Sequence, residues 1–171
     1  MISKRLEKAI NEQIMIEEQS SRIYLSMASW CEVQGLPGAA KFLYQHSDEE
    51  RMHQLKFVHF LNDRGGHAVL QAVEQPAPEY KSIEELFDEV LKHEQFVTKK
   101  INDLVDICLD EKDHSTNNFL QWFVTEQIEE ESLVQGVVDK IKLVGESKAG
   151  NFHIDMYLSV LTDKKASAEE K

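Results

Sequence analysis

Cysteine, proline and glycine are scarce in this chain, and each shortage excludes something. The two cysteines, Cys31 and Cys108, show no Cys-x-x-Cys spacing; they read as small core residues of a reducing compartment, and neither is taken as a metal ligand. Three Pro and seven Gly fall mostly between periodic segments, and period-two runs of β-branched residues are absent, so the class expected is all-α. Basic side chains are also short: 19 Lys and Arg face 31 Asp and Glu, a formal charge of −12. That balance speaks against a nucleic-acid partner and favours cationic ligands. No apolar run is long enough to span a bilayer, and the opening MISKRLEKAI passes straight into an amphipathic pattern without the apolar centre of a signal peptide. A cytoplasmic protein with no membrane partner is expected.

What is there is a set of four long apolar stripes, each interrupted near its middle. Ile83, Phe87, Val90, Glu94, Val97, Ile101, Leu104 and Cys108 step by four and three without a slip, which makes one core face of a helix. Only Glu94 in it is ionisable. A second stripe runs through Leu6, Ile10, Ile14, Glu17, Ser21, Tyr24, Ala28 and Cys31, and a third through Phe42, His46, Glu50, His53, Phe57 and Phe60. The fourth is Phe119, Phe123, Gln127, Glu130, Val134, Val137 and Ile141.

Punctuation sets the order of elements. The first helix covers residues 3–32, and Gln34, Gly35, Leu36, Pro37 and Gly38 turn it into a second that ends at Arg64 before Gly65 and Gly66. Residues 65–81 are too long and too rich in Pro for a hairpin turn. Helices of about 28 residues are ~42 Å long, and about 17 extended residues reach at most ~56–61 Å, enough to run the whole bundle. The second and third helices are therefore expected to be parallel, joined by a single long crossover. Ser82 with Glu85 opens the third helix as a capping box, and that helix ends near Asp110. A fourth follows the turn at 113–116 and runs to about Val144, and residues 145–150 break it. A short fifth helix covers 151 to about 162, and 166–171 read as a frayed tail. The domain reading is one unit, 1–171, with the four-helix bundle at 1–145, the short helix at 146–163 and the tail at 164–171.

A helix midpoint keeps its height whichever way the helix points. Glu17, Glu50, His53, Glu94, Gln127 and Glu130 should therefore meet in one central layer. Several buried carboxylates cost many kcal/mol unless protonated or neutralised by cations, so a metal pair is the economical answer. Glu50 and His53, three apart, form the Glu-x-x-His pattern that di-metal carboxylate bundles project inward. Oxygen donors with few imidazoles suit iron or manganese better than a structural zinc. With iron, the reaction class is oxidation of ferrous ions by dioxygen or peroxide across a bridging carboxylate. Glu126, four before Glu130 on the same side, could extend the site outward as a weaker third position. His46, lacking a partner at ligand spacing, reads as structural, and Tyr24 and Trp122 read by default as core aromatics.

Taken together, Glu17, Tyr24, Glu49-Glu50-x-x-His53, Glu94, Trp122 and the run Glu126-Gln127-Ile128-Glu129-Glu130 resemble the bacterial non-haem ferritins over nearly the full chain. The resemblance implies a ferritin-like fold in which Glu17, Glu50 and His53 hold one iron and Glu50, Glu94 and Glu130 a second, with Glu50 bridging. It implies a third site from Glu49, Glu126, Glu129 and Glu130, and catalytic roles for Gln127 and Tyr24. It further implies a ferroxidase that uses O2 or H2O2 and stores iron as a mineral in a cage of 24 subunits, the fifth helix packing around the four-fold axes. Asp110, Glu111 and Asp113 are candidates for a cation funnel, a solvated turn being an equally good reading. Bacterioferritins differ: their second Glu-x-x-His is Gln127 and Glu130 here, and their haem-ligating Met position is Arg51, with Met52 one place later. No haem is expected. The competing readings are a soluble di-iron oxidase or peroxidase that stores nothing, and a structural bundle whose acids bind only water and one another.

Overall fold

A computed structural model describes residues 2–145 and 147–169, with side chains to residue 163. Five helices follow in order: α1 (Lys4–Val33), α2 (Pro37–Asp63), α3 (Ile83–Glu111), α4 (His114–Val144) and α5 (Lys148–Glu169). There is no strand among the described residues, and no helix there is long and apolar enough to cross a membrane. The first four make a four-helix bundle, and α5 is a short helix beyond it.

The caps match the local chemistry. Ser3 accepts from the Leu6 amide and Ser82 from the Glu85 amide, so both helix starts satisfy an otherwise orphaned N–H. Glu85 reaches back one residue further than a capping box requires, to the Lys81 amide. Between α3 and α4, Lys112 adopts a left-handed backbone (φ 56°) and Asp113 caps α4 through the Thr116 amide. Asp113 also pairs with Arg64, the C-cap residue of α2, at 3.0 Å. It is therefore committed to joining the ends of two helices, and Asp110 lies 3.3 Å from Arg5.

The crossover runs along α1 from end to end. His67 donates its amide to Glu7, Val69 to Asn11 and Glu74 to Gln19; Ser26 donates to the Ala77 carbonyl, and Tyr80 packs edge-on against Trp30. This path makes α2 and α3 parallel, as expected from its length.

The apolar core is divided. One cluster, including Leu6, Ile10, Phe57, Ile101, Leu120 and Phe123, fills one end of the bundle. Another, including Ala28, Phe42, Leu43, Phe87, Val137 and Leu158, fills the end where α5 docks. The interrupted stripes hold with three slips: Ser20 is buried where Ser21 was expected, Leu61 where Phe60 was, and Leu120 where Phe119 was. A 3.6-residue period drifts against steps of three and four, and the buried line moves over by one.

α5 is the expected short fifth helix, but it begins before residue 151 and runs past residue 162. Gly145 (φ 74°) ends α4, but helix resumes at Lys148, so Gly150 lies inside α5, where a Cβ would meet the Gly145 carbonyl oxygen at 2.4 Å. It continues to Glu169, through residues expected to be tail, because Lys, Ala and Glu there favour helix and no Gly or Pro stops it. The last two residues of that expected tail lie outside the described ones. α5 also completes α2. Leu36 gives that helix no capping side chain, and Asp155 of α5 supplies one, its Oδ1 accepting from the Ala39 amide at 2.9 Å. The approach depends on Gly38, where a Cβ would stand 2.0 Å from the Asp155 carbonyl oxygen.

Gly38→Ala should thus push α5 off α2 and lower stability by about 1–3 kcal/mol through overpacking and the lost cap. Thermal unfolding and proteolysis within α5 would register it; an unchanged melting temperature and protease pattern would contradict this account of the docking.

Candidate metal centre

Between the two apolar clusters lies a polar layer. Glu17, Glu50, His53, Glu94, Gln127 and Glu130 are all at most 4 % exposed, each delivered by the midpoint of its helix. Ligand atoms of Glu17, Glu50 and His53 lie within 4.8 Å of one another. A second group, His46, Glu49 and Glu130, meets the same test. Glu94 stands between them. Its Oε1 accepts from the Tyr24 hydroxyl, and its Oε2 accepts from Gln127 Nε2 at 3.1 Å. Gln127 also lies 3.3 Å from Thr98 Oγ1, which donates to Glu131.

Electrostatically the layer is overloaded with acid. Burial, then the Glu50 charge, pushes the Glu17 carboxyl well above the ordinary carboxylate range. Burial, then Glu94, does the same to Glu50. Glu94 is raised to about 7, chiefly by burial, with Tyr24 and Gln127 pulling the other way. Tyr24 is raised in turn by burial and the Glu94 charge, which keeps its proton on the phenol oxygen. Glu17 Oε2 and Glu50 Oε2 are buried without a hydrogen-bond donor. Oxygens in that condition need a proton or a cation. The donor set, carboxylates with one imidazole, fits hard to borderline divalent metals.

Around this layer the structure adds residues that were not anticipated. Gln13 donates to Glu17 Oε1 at 2.9 Å and orients that carboxylate from one turn away. Tyr24 is flanked edge-on by His46 and His93, centroids 6.3 and 5.8 Å away. Burial lowers His93 to about 4, so its ring is neutral, and its Nε2 sits 2.7 Å from Ser20 Oγ. Trp122, expected as a core aromatic, is 41 % exposed. It covers His53 edge-on at 5.3 Å and carries Lys56 Nζ 3.8 Å from its own ring centroid. Met52 points outward, half-exposed, and Arg51 is engaged with Gln54.

His46 is the main departure from expectation. Its Nε2 lies 3.2 Å from Glu130 Oε2 across the bundle, so it joins the layer. A signal was present: Glu49 follows His46 by three residues, the same spacing that marks Glu50 and His53. Glu126 and Glu129 are not drawn into either tight group; they stand at the edge of a cleft beside His46 and Glu130.

Against known proteins, the ferritin family model, described as a ferritin-like domain, matches residues 7–144. The chain belongs to the ferritin family. It is 48 % identical over 158 residues to the bacterial non-heme ferritin of Campylobacter jejuni, covering 92 % of this chain and 95 % of that one. It is 45 % identical over 164 residues to a probable bacterial non-heme ferritin-like protein of Haemophilus influenzae, covering 96 % and 99 %. Among solved structures, the Archaeoglobus fulgidus ferritin engineered into a closed form superposes with a TM-score of 0.90 at 42 % identity, over 93 % of this chain and 97 % of that one. Family membership assigns this ferritin to the iron-storage class, and its two acid and imidazole groups are where a metal could be held.

The raised carboxyls fix a pH dependence. A carboxyl whose native pKa exceeds its unfolded value holds a proton in the native state that the unfolded chain releases, so stability falls as pH rises between the two. For Glu94 that window runs from 4.5 to about 7, and at 1.36 kcal/mol per pKa unit its loss is on the order of 3 kcal/mol. The metal-free protein should melt at progressively lower temperature from pH 5 to pH 8, with Glu17 and Glu50 acting in the same direction. Added divalent metal should reverse the trend at the alkaline end. Scanning calorimetry with and without metal would check it; a metal-free melting temperature that rises with pH would contradict it.

Proposed function

We propose that this ferritin is an iron-storage ferroxidase. Glu17, Glu50 and His53 hold one ferrous ion and Glu50, Glu94 and Glu130 a second, with Glu50 bridging them. Glu49, Glu126 and Glu129, together with Glu130, form a third position toward the storage cavity. Iron is the substrate. Each of two ferrous ions gives up one electron, and dioxygen takes both with two protons to become hydrogen peroxide; peroxide as oxidant takes two electrons and two protons to give two waters.

The chain's own groups do the positioning. Gln13 holds one oxygen of Glu17, leaving the other free to bind. Tyr24 and Gln127 each donate to a different oxygen of Glu94, which orients it and favours its charged form when a cation arrives. Phe123 and Trp122 pack around His53 and keep its ring from turning. The single observation that carries this reading is the buried layer itself: three carboxyls raised by burial, two of their oxygens without a donor, and an imidazole beside them. Assembly into a cage of 24 subunits with a mineral core, α5 at the four-fold axes and a cytoplasmic location complete the proposal, with residues 1–171 acting as one ferritin-like unit. No haem is proposed, because Met52 points outward and Gln127 stands where a second Glu-x-x-His would need Glu.

Glu50→Gln and Glu94→Gln should slow aerobic ferrous oxidation by about 100-fold or more, since even groups that merely support metal ligands are worth about 10–100-fold. Assembly size should stay as in the parent protein. Stopped-flow absorbance and light scattering would measure both. If the variants kept the parent rate and were simply more stable, the layer would be a structural arrangement of acids and the ferroxidase reading would be wrong.

A further inference from the structure

Gln127 steadies Glu94, and the groups behind Gln127 decide which way its amide faces. Its Nε2 lies 3.1 Å from Glu94 Oε2, 3.3 Å from the Glu94 carbonyl oxygen and 3.3 Å from Thr98 Oγ1. Carboxylate and carbonyl oxygens only accept, so the amide nitrogen, with its two hydrogens, is the end that belongs there. Thr98 is the ambiguous neighbour, because a hydroxyl can accept or donate. A Thr98 hydroxyl that pointed its hydrogen at Gln127 would stabilise the flipped amide, with the amide oxygen turned toward Glu94.

Glu131 removes that ambiguity. Thr98 Oγ1 donates to Glu131 Oε1, and a hydroxyl has one hydrogen, so toward Gln127 it can only accept. The chain is thereby polarised from end to end: Glu131 accepts from Thr98, Thr98 accepts from Gln127, and Gln127 donates to Glu94. Thr98 follows Glu94 by four residues on α3, and Glu131 follows Gln127 by four on α4. Each pair therefore shares a helix face, and the chain ties α3 to α4 at the height of the layer. Gln127 is buried, whereas Glu131 at the outer end is partly exposed.

Resting on the ferroxidase reading of the layer, we infer that Thr98 and Glu131 are positioning residues for the second iron, the one assigned to Glu50, Glu94 and Glu130. Neither touches metal. They lock the Gln127 amide with its nitrogen toward Glu94 and so hold that carboxylate in the orientation that receives the ion, as hydrogen-bonded partners of metal ligands do. What Glu131 supplies is an acceptor for the Thr98 hydrogen, and an amide oxygen at the same place can take that hydrogen too.

Anaerobic titration of the assembled metal-free protein with Co2+, followed by calorimetry and by the visible bands of the bound ion, tests the inference. Glu94→Gln identifies the second cation as the one it loses. Thr98→Val should weaken that cation by about threefold to tenfold, the worth of one hydrogen bond, and leave the cation on Glu17, Glu50 and His53 at parent affinity. Thr98→Ser, which keeps the hydroxyl, should restore the second cation. Glu131→Leu should match Thr98→Val, and Glu131→Gln should recover most of what Glu131→Leu loses. Parent affinity for the second cation in both Thr98→Val and Glu131→Leu would overturn the inference and leave the paired site standing. So would equal losses in Glu131→Gln and Glu131→Leu, or both cations weakened together with a lowered melting temperature, the mark of a merely structural tie. A parent protein that binds no cation in the layer would overturn the ferroxidase reading as well.

Discussion

A layer of carboxyl groups buried in mid-bundle is the constraint on which the rest of this structure depends. Desolvation opposes their charge, and they oppose one another. The fold places them there by giving each of four helices an acid or amide where the stripe would otherwise carry Leu or Ile, and by closing an apolar cluster above and below. The two clusters supply hydrophobic stabilisation that tolerates an unfavourable layer between them. They also keep water from dissipating the field at the site.

From that layer the surroundings follow. The long crossover lets α2 and α3 run parallel, so that Glu50 and Glu94 meet at one height inside the bundle, while the crossover itself lies along α1. Gln13 takes one oxygen of Glu17 and leaves the other to a cation, while Tyr24 and Gln127 each donate to one oxygen of Glu94 and orient it. α5 contributes at a distance: Asp155 caps α2, the helix that carries His46, Glu49, Glu50 and His53. α5 is thereby tied to the helix richest in buried acids and imidazoles.

Much of this was legible in the sequence because it is periodic. Glu94 stood out as one ionisable residue in a stripe of eight, and Glu50 with His53 by a spacing of three. Parallel α2 and α3 followed from the length of residues 65–81. What escaped was set by contacts between helices, which periodicity does not encode. His46 looked isolated along its own helix, though Glu49 stood three residues on, and its partner Glu130 lies on α4. Trp122 sits on a helix whose face turns outward at that point, so its aromatic character alone misplaced it. Asp113 looked like part of an acidic turn, yet Arg64, 49 residues away in the chain, claims it. The length of α5 was missed because a short Gly-bounded segment hid the helix-forming residues after it.

The central claim, that the buried acids exist to bind and oxidise iron for storage, is tested most directly by adding ferrous iron aerobically to the purified metal-free protein. The product is then resolved by size-exclusion chromatography with light scattering and ultraviolet-visible detection. The account predicts one large species carrying co-eluting ferric absorbance and many irons per chain. A small species that holds about two irons per chain and no mineral would contradict storage and leave a soluble di-iron oxidase.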